Sequence, residues 1–209
     1  MATQFHFDEP DLVARLARLP SKLRVAFAAL CAERQLPNYI RFSERSGLGN
    51  PNVLKEALVS IWQDVQGQPL TTTELETILE RCMALIPSGE EDTEEETAYA
   101  EDAAASVAYT IRARLADDPQ EAAWAARCAY TAVDHFIMSQ IDSMIVTREH
   151  QRFILSHPLV QAELQRQQAD LKDLQLASAE KSLPTSVISE LRDRARRDAE
   201  LFLNTATRH

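Results

Sequence analysis

At 209 residues, with 45% hydrophobic and 26% charged side chains, the chain is long enough to bury a core without disulfides or metals. Its four glycines are too few for the turns of a strand-rich protein, and its wealth of Ala, Leu, Glu and Gln favours helices. A net charge of −10 argues against broad nucleic-acid binding, and no uncharged apolar run approaches the ~18 residues of a membrane span.

Asp8 or Asp11 with Pro10 opens a short first helix through "DLVARLARL". Ser21 is the expected cap of a helix from Lys22 to about Leu36. Val25, Ala26, Phe27, Ala29, Leu30 and Ala32 make it apolar around much of its girth, as in a central helix. Pro37 is expected to stop it, and a separate short helix from Asn38 to Ser46 is expected to end at Gly47. Asn50 caps the next helix with Pro51 in its first turn. Val53, Leu54, Ala57, Leu58, Ile61, Trp62 and Val65 form one stripe along it.

Thr73 with Glu76 suggests a capping box for a helix carrying Leu75, Ile78, Leu79, Cys82, Met83 and Ile86, closed by Pro87. Eight acids and no Lys or Arg lie between Ser88 and Asp102, which leaves −2 for the rest of the chain. Such a run reads as a solvated loop entering a helix N-terminus. Ala100, Ala103, Ala104, Val107 and Ile111 then share one side of a helix, with Asp102 set among alanines. Asp118 and Pro119 start a long helix expected to reach about Val146, with Asp134 beside its apolar stripe. A break is expected near His157 and Pro158. An amphipathic, polar-rich helix follows, and then a last one with Val187, Leu191, Ala195 and Leu201 or Phe202 inward.

These elements predict an all-α, single-domain bundle of roughly seven to nine helices over residues 1–209. Residues 1–10 and 205–209 are expected to fray. The three cysteines, Cys31, Cys82 and Cys128, lie in apolar helical contexts with no CxxC, as reduced thiols of a cytoplasmic protein do. No signal peptide is expected at the N-terminus.

Chemistry is harder to find. None of the five histidines sits in HExxH or three residues after a Glu, so no metal is expected. There is no P-loop, GxGxxG or GxSxG, and no cofactor is expected. The stretch over residues 42–58 resembles a helix-turn-helix. However, Ser46 and Glu56 fall where apolar residues should join its helices, and Lys55 is its only base-reaching cation. Asp102 and Asp134 are candidate buried acids, structural or catalytic, with Arg127 and Arg34 the candidate partners of Asp134. The corner of Glu33, Arg34, Pro37, Asn38 and Tyr39 offers a charge pair, a capping amide and a phenol, for a fold lock or a partner surface.

The stretch "VAFAALCAERQLPNYIRFSERSGLGNPNVLKEALVSIW" resembles the YjaG-like bacterial proteins. The resemblance rests on Cys31, Glu33, Arg34, Pro37, Asn38, Tyr39, Phe42, Gly47, Gly49 and Trp62. It extends to Pro87, "AEDAAASVA" and "HPLVQAELQRQ". Members often read C-C-E-R or L-C-E-R where this chain reads C-A-E-R. The resemblance implies an all-helical cytosolic protein and lends no activity and no catalytic residue.

The leading functional expectation is therefore a helical interaction or scaffold protein without catalysis. The alternatives are a small-molecule-binding protein or enzyme using buried carboxylates, and a DNA-binding regulator. A protein partner or a second copy of the chain is compatible with the sequence; nucleic acid and membrane are not expected.

Overall fold

The computed structural model describes residues 4–87, 95–141, 147–179 and 184–206. Among them are nine helices and no strands: α1 Glu9–Leu16, α2 Ser21–Ser46, α3 Pro51–Val65, α4 Thr72–Met83, α5 Glu95–Ala116, α6 Pro119–Ser139, α7 Arg148–Ser156, α8 Pro158–Ala179 and α9 Thr185–Ala206. The expected all-α class holds.

The central element is α2, which meets α3, α5, α6, α8 and α9. Every residue from Val25 to Gln35 is buried, so it has no solvent face over three turns. Its main neighbours are α5 and α6, and the three meet largely through alanine: Ala26, Ala28, Ala29 and Ala32 with Ala100, Ala103, Ala104, Ala122, Ala125 and Ala129. Small side chains let helix axes approach closely, and the larger Phe27, Leu30, Val107 and Ile111 fill the remaining space. A second apolar cluster joins Val133, Phe136 and Ile137 of α6 to Ile154 of α7 and Val160 and Leu164 of α8.

Pro37 does not stop a helix: α2 runs through it to Ser46. An internal proline removes one ladder hydrogen bond and costs about 3 kcal/mol. Burial of Arg34, Gln35, Asn38, Tyr39 and Phe42 on both sides of it outweighs that cost. Gly47 then caps α2 at φ 71°, and Asn50 caps α3 by accepting from the Asn52 amide, as expected.

Other boundaries moved. The helix of Ser21 has Pro20 at its N-cap, and the Ser21 side chain bonds Asp117 instead. The capping box of α4 is Thr71 with Glu74, two residues before the expected pair. Met83 is exposed. α6 ends at Ser139, and residues 142–146 lie outside the described residues. The unexpected α7 starts at a second capping box, Thr147 with His150. The first part of the acid run, 88–94, with four of its eight acids, also lies outside the described residues. The segment from Phe5 to Pro10, expected to fray, is held. The Phe5 amide donates to Gln161 at 2.8 Å, Phe7 stacks on Tyr130 with centroids 5.2 Å apart, and Asp8 caps α1.

Candidate functional site

The residues of the Glu33–Tyr39 corner point in different directions. Glu33 and Arg34 do not pair with each other. They are neighbours on a helix, so their side chains diverge by about 100° and meet different elements.

Glu33 is 4% exposed and turns toward α3 and α9. Its Oε1 accepts from Trp62 Nε1 at 3.0 Å and from Arg192 Nη2 at 3.0 Å. Its Oε2 accepts from Arg196 Nε at 3.2 Å. The Arg192 guanidinium also lies over the Trp62 ring, 5.1 Å from its centroid. One carboxylate thus holds two arginines one helical turn apart on α9.

Arg34, also 4% exposed, turns toward α8. Nη1 donates to Asp170 at 2.6 Å, and Nη2 to Glu163 at 3.2 Å and to Cys31 Sγ at 3.4 Å. Gln167 supports Glu163 at 3.0 Å, and Arg194 of α9 donates to the other Asp170 oxygen at 2.7 Å. Burial alone would lower the Arg34 pKa, but Glu163 and Asp170 outweigh it and raise it, so the guanidinium stays charged.

Asn38 donates to Gln35 at 3.0 Å, within the helix. Tyr39 is fully buried. Its hydroxyl donates to the Leu85 carbonyl at 3.0 Å beyond α4 and accepts from the Asn50 amide. Gly49 sits against this phenol at φ 72°, and a Cβ there would collide with the hydroxyl. Tyr39 and Asn38 thus direct their polar atoms into the bundle.

Glu33 and Pro37 line a solvent-open groove of ≈ 360 Å³ where α2, α3 and α9 converge. Its apolar lining is Leu36, Pro37, Leu58 and Val59, and its charged lining is Lys55, Arg192 and Arg196 with Glu33 and Glu200. Val59 is 46% exposed, and Lys55 is exposed with no ion pair among the described residues.

The two candidate acids lie elsewhere, on α5 and α6. Asp102 has a side chain only 16% exposed and a buried Oδ2 with no hydrogen-bond partner among the described residues. His135 Nδ1 is 3.7 Å from that oxygen, beyond a good hydrogen bond. Burial, reinforced by Glu101, pushes the Asp102 carboxyl up from its ordinary 3.8 to about 7. Asp134 is half-buried, and burial raises its pKa also. Neither arginine expected beside Asp134 reaches it: Arg127 pairs with Glu9 at 3.0 Å, and Arg34 with α8.

Cys31, Cys82 and Cys128 are free and buried, and burial raises all three thiols, Cys82 to about 12. Among the described residues no group of three or more His, Cys, Asp or Glu is placed to hold a metal, and no helix is long and apolar enough to cross a membrane.

Sequence reasoning missed Glu163, Gln167, Asp170, Arg192, Arg194 and Arg196. A signal did exist on α8. At 100° per residue, the arc marked by Val160, Leu164, Leu171, Leu174 and Ala177 contains Glu163, Gln167 and Asp170, so the polar residues share the buried face.

Residues 11–200 match the family model described as "Protein of unknown function (DUF416)". The chain belongs to this family. The uncharacterized protein YjaG of Escherichia coli K12 is 28% identical over 107 residues, 51% of this chain and 54% of that protein. The matched stretch thus spans about half the length of that curated relative. The crystal structure of a DUF416 family protein from Shewanella baltica OS155 superposes with a TM-score of 0.78, covering 88% of this chain and 92% of that one. At 22% identity, that likeness shows the DUF416 fold and nothing about activity.

Proposed function

We propose that this chain is an interaction protein, not an enzyme, and that its working surface is the groove between α2, α3 and α9. Its occupant is a short segment of a protein partner that carries an apolar residue beside a negative charge. The observation behind this reading is that apolar and basic side chains line one groove. Val59 is a large apolar side chain left in water, and Lys55 is a cation without an ion pair among the described residues. Lys55, Arg192 and Arg196 against Glu33 and Glu200 leave one net positive charge, which suits one anion. The carboxylates of the central network, Glu33, Glu163 and Asp170, are each engaged by arginine, which suits docking better than proton transfer. Three free, buried cysteines favour a reducing, cytoplasmic setting.

The test places a photoreactive amino acid at Val59 in cells of the native host and maps the crosslinked segment. A defined segment bearing an apolar residue and a carboxylate, lost on Lys55→Glu, is the expected result. Crosslinks that survive Lys55→Glu, or a crosslink to a second copy of this chain, would overturn the reading.

One observation favours a second reading, a small-molecule or catalytic site at Asp102: its buried oxygen lacks a hydrogen-bond partner among the described residues. Native mass spectrometry of the purified protein tests it. A small molecule that co-purifies with the wild type and is lost on Asp102→Asn would move the functional centre to α5 and α6.

A further inference from the structure

We propose that Asp102 and His135 form a pH-operated clasp between α5 and α6, closed while at least one proton is held between the two side chains and released when the last one leaves. The inference is independent of the groove.

The two helices are antiparallel neighbours, and the outer seam between them is closed by a row of side-chain pairs. Arg112 meets Glu121 in a salt bridge of 2.7 Å, and Tyr109 meets Trp124 with ring centroids 5.4 Å apart. The next pair along the seam, Asp102 with His135, is unfinished. Oδ2 of Asp102 is buried with no hydrogen-bond partner among the described residues, and His135 Nδ1 stands 3.7 Å from it. A shift of roughly 1 Å would make a hydrogen bond of this approach. The His135 side chain is half-exposed and has room to make that shift.

The surrounding charges leave Asp102 to His135. Its own helix adds Glu101, a like charge. From α6 come Cys128, whose thiol Asp102 pushes up further, and Asp134, while Arg127 is taken by Glu9. From α2, the buried Arg24, Glu33 and Arg34 are engaged by Asp117, α9 and α8 respectively. On α3, Asp64 is held by Arg114, and Lys55 and Glu56 are exposed. The charged residues of α4, Glu74, Glu76, Glu80 and Arg81, are exposed as well. No Arg or Lys among the described residues pairs with Asp102.

Three protonation states follow. With the carboxyl protonated, the seam needs no counter-charge. Passing that proton from Oδ2 to Nδ1 gives a carboxylate against an imidazolium, whose attraction closes the gap. Losing it to solvent leaves a buried carboxylate facing a neutral imidazole and Glu101, and an unpaired buried charge is costly. Burial, with Glu101, sets the carboxyl at about 7, in the range where histidine also titrates. Because this folded value lies above the ordinary 3.8, the clasp is intact at low pH and loosens as pH rises past about 7.

The experiment is hydrogen–deuterium exchange of the full chain, wild type and Asp102→Asn, from about pH 6 to about pH 8.5. Residues 97–105 and 128–139 report the seam, and residues 51–65 of α3 are the control. The ratio of wild-type to variant rates cancels the intrinsic pH dependence of exchange. It is expected to stay near one at about pH 6 and to rise at least about threefold by about pH 8.5 in the seam, with α3 unchanged. A ratio that is flat with pH, or an equal rise in α3, would overturn the clasp. His135→Ala, compared in the same way, is expected to loosen the seam at a lower pH than wild type, and an unchanged onset would count against the pairing. The His135 imidazole, followed by NMR, is expected to titrate lower by about 1 in pH or more in Asp102→Asn. An unmoved midpoint would show that the two share no proton, and the inference fails.

Discussion

Two parts of the same bundle are joined by different physics. Where α2 crosses α5 and α6, contact is dry: alanines let the helices close up, and Phe27, Leu30 and Ile111 fill the spaces. Where α8 and α9 dock on the other end of α2, charge is built into the joint. Arg34 meets Glu163 and Asp170, Arg194 meets Asp170 and Asp173, and Arg192 and Arg196 meet Glu33. A dry alanine interface depends on volume and tolerates no extra atoms. An ionic joint depends on matched partners and fails when one is missing, because the other is left buried and unpaired. The ionic joint also has a consequence at the surface. Glu33, Arg192 and Arg196 of this joint also line the groove.

The sharpest break in that comparison is Arg34→Ala. It takes the buried guanidinium from both carboxylates, leaving Asp170 to Arg194 and Glu163 to Gln167 and Arg166, and is expected to cost up to roughly 3–5 kcal/mol by urea unfolding. Replacing Arg34, Glu163 and Asp170 together with Met, Gln and Asn should recover most of that loss. Failure to recover would mean that α8 is held by something other than these charges. Next comes the dry side: Ala104→Leu inserts a side chain where none fits, at an expected cost of about 1–3 kcal/mol. A neutral result would show that the alanine interface is loosely packed.

Asp102 is a charge on the dry side with no hydrogen-bond partner at its buried oxygen among the described residues, and its behaviour should be opposite to that of the ionic joint. Its folded pKa, about 7, lies above the ordinary 3.8, so the native state holds this proton more tightly than the unfolded chain. Its contribution is therefore fully present below pH ~4 and is lost as pH rises toward 7. Asp102→Asn should gain about 1–3 kcal/mol over wild type at pH 8 and nothing at pH 4, read as the difference between the two proteins' urea curves. A gain independent of pH would show that the carboxyl is not the cause. A smaller effect is expected from Tyr39→Phe, which removes the bond to the Leu85 carbonyl and should cost ~1 kcal/mol in a thermal melt. An unchanged melting temperature would show that this bond contributes nothing to the fold. Smallest of all, Arg81→Ala breaks an exposed pair with Glu56 and should change stability by no more than ~0.5 kcal/mol.

Much of the fold was legible because its signals are local. The stripe from Leu54 to Val65, the Asn50–Pro51 start and the Gly47 stop each follow from spacing within one turn. The errors have local causes too. "TTTELE" contains two Thr-x-x-Glu frames, Thr71–Glu74 and Thr73–Glu76, and no feature within the motif distinguishes them. Pro37 carries a stop signal that packing on both flanks overrode. At the candidate site, Glu33 and Pro37 were visible as unusual residues, but their partners Arg192 and Arg196 looked like ordinary charges of a surface helix.

The periodicity of α8 already placed Glu163, Gln167 and Asp170 among apolar residues, and that of α9 placed Arg192 and Arg196 one above the other. Such relations hold for any helix, because 3.6 residues per turn sets which side chains share a face. What those faces meet was not written in the spacing. Arg34 reaches its two carboxylates across 129 and 136 residues of chain, and Glu33 its arginines across 159 and 163. A carboxylate carries no address. It pairs with whichever guanidinium the docking of helices brings within about 3 Å, and that docking is set by volume and burial summed over the whole bundle.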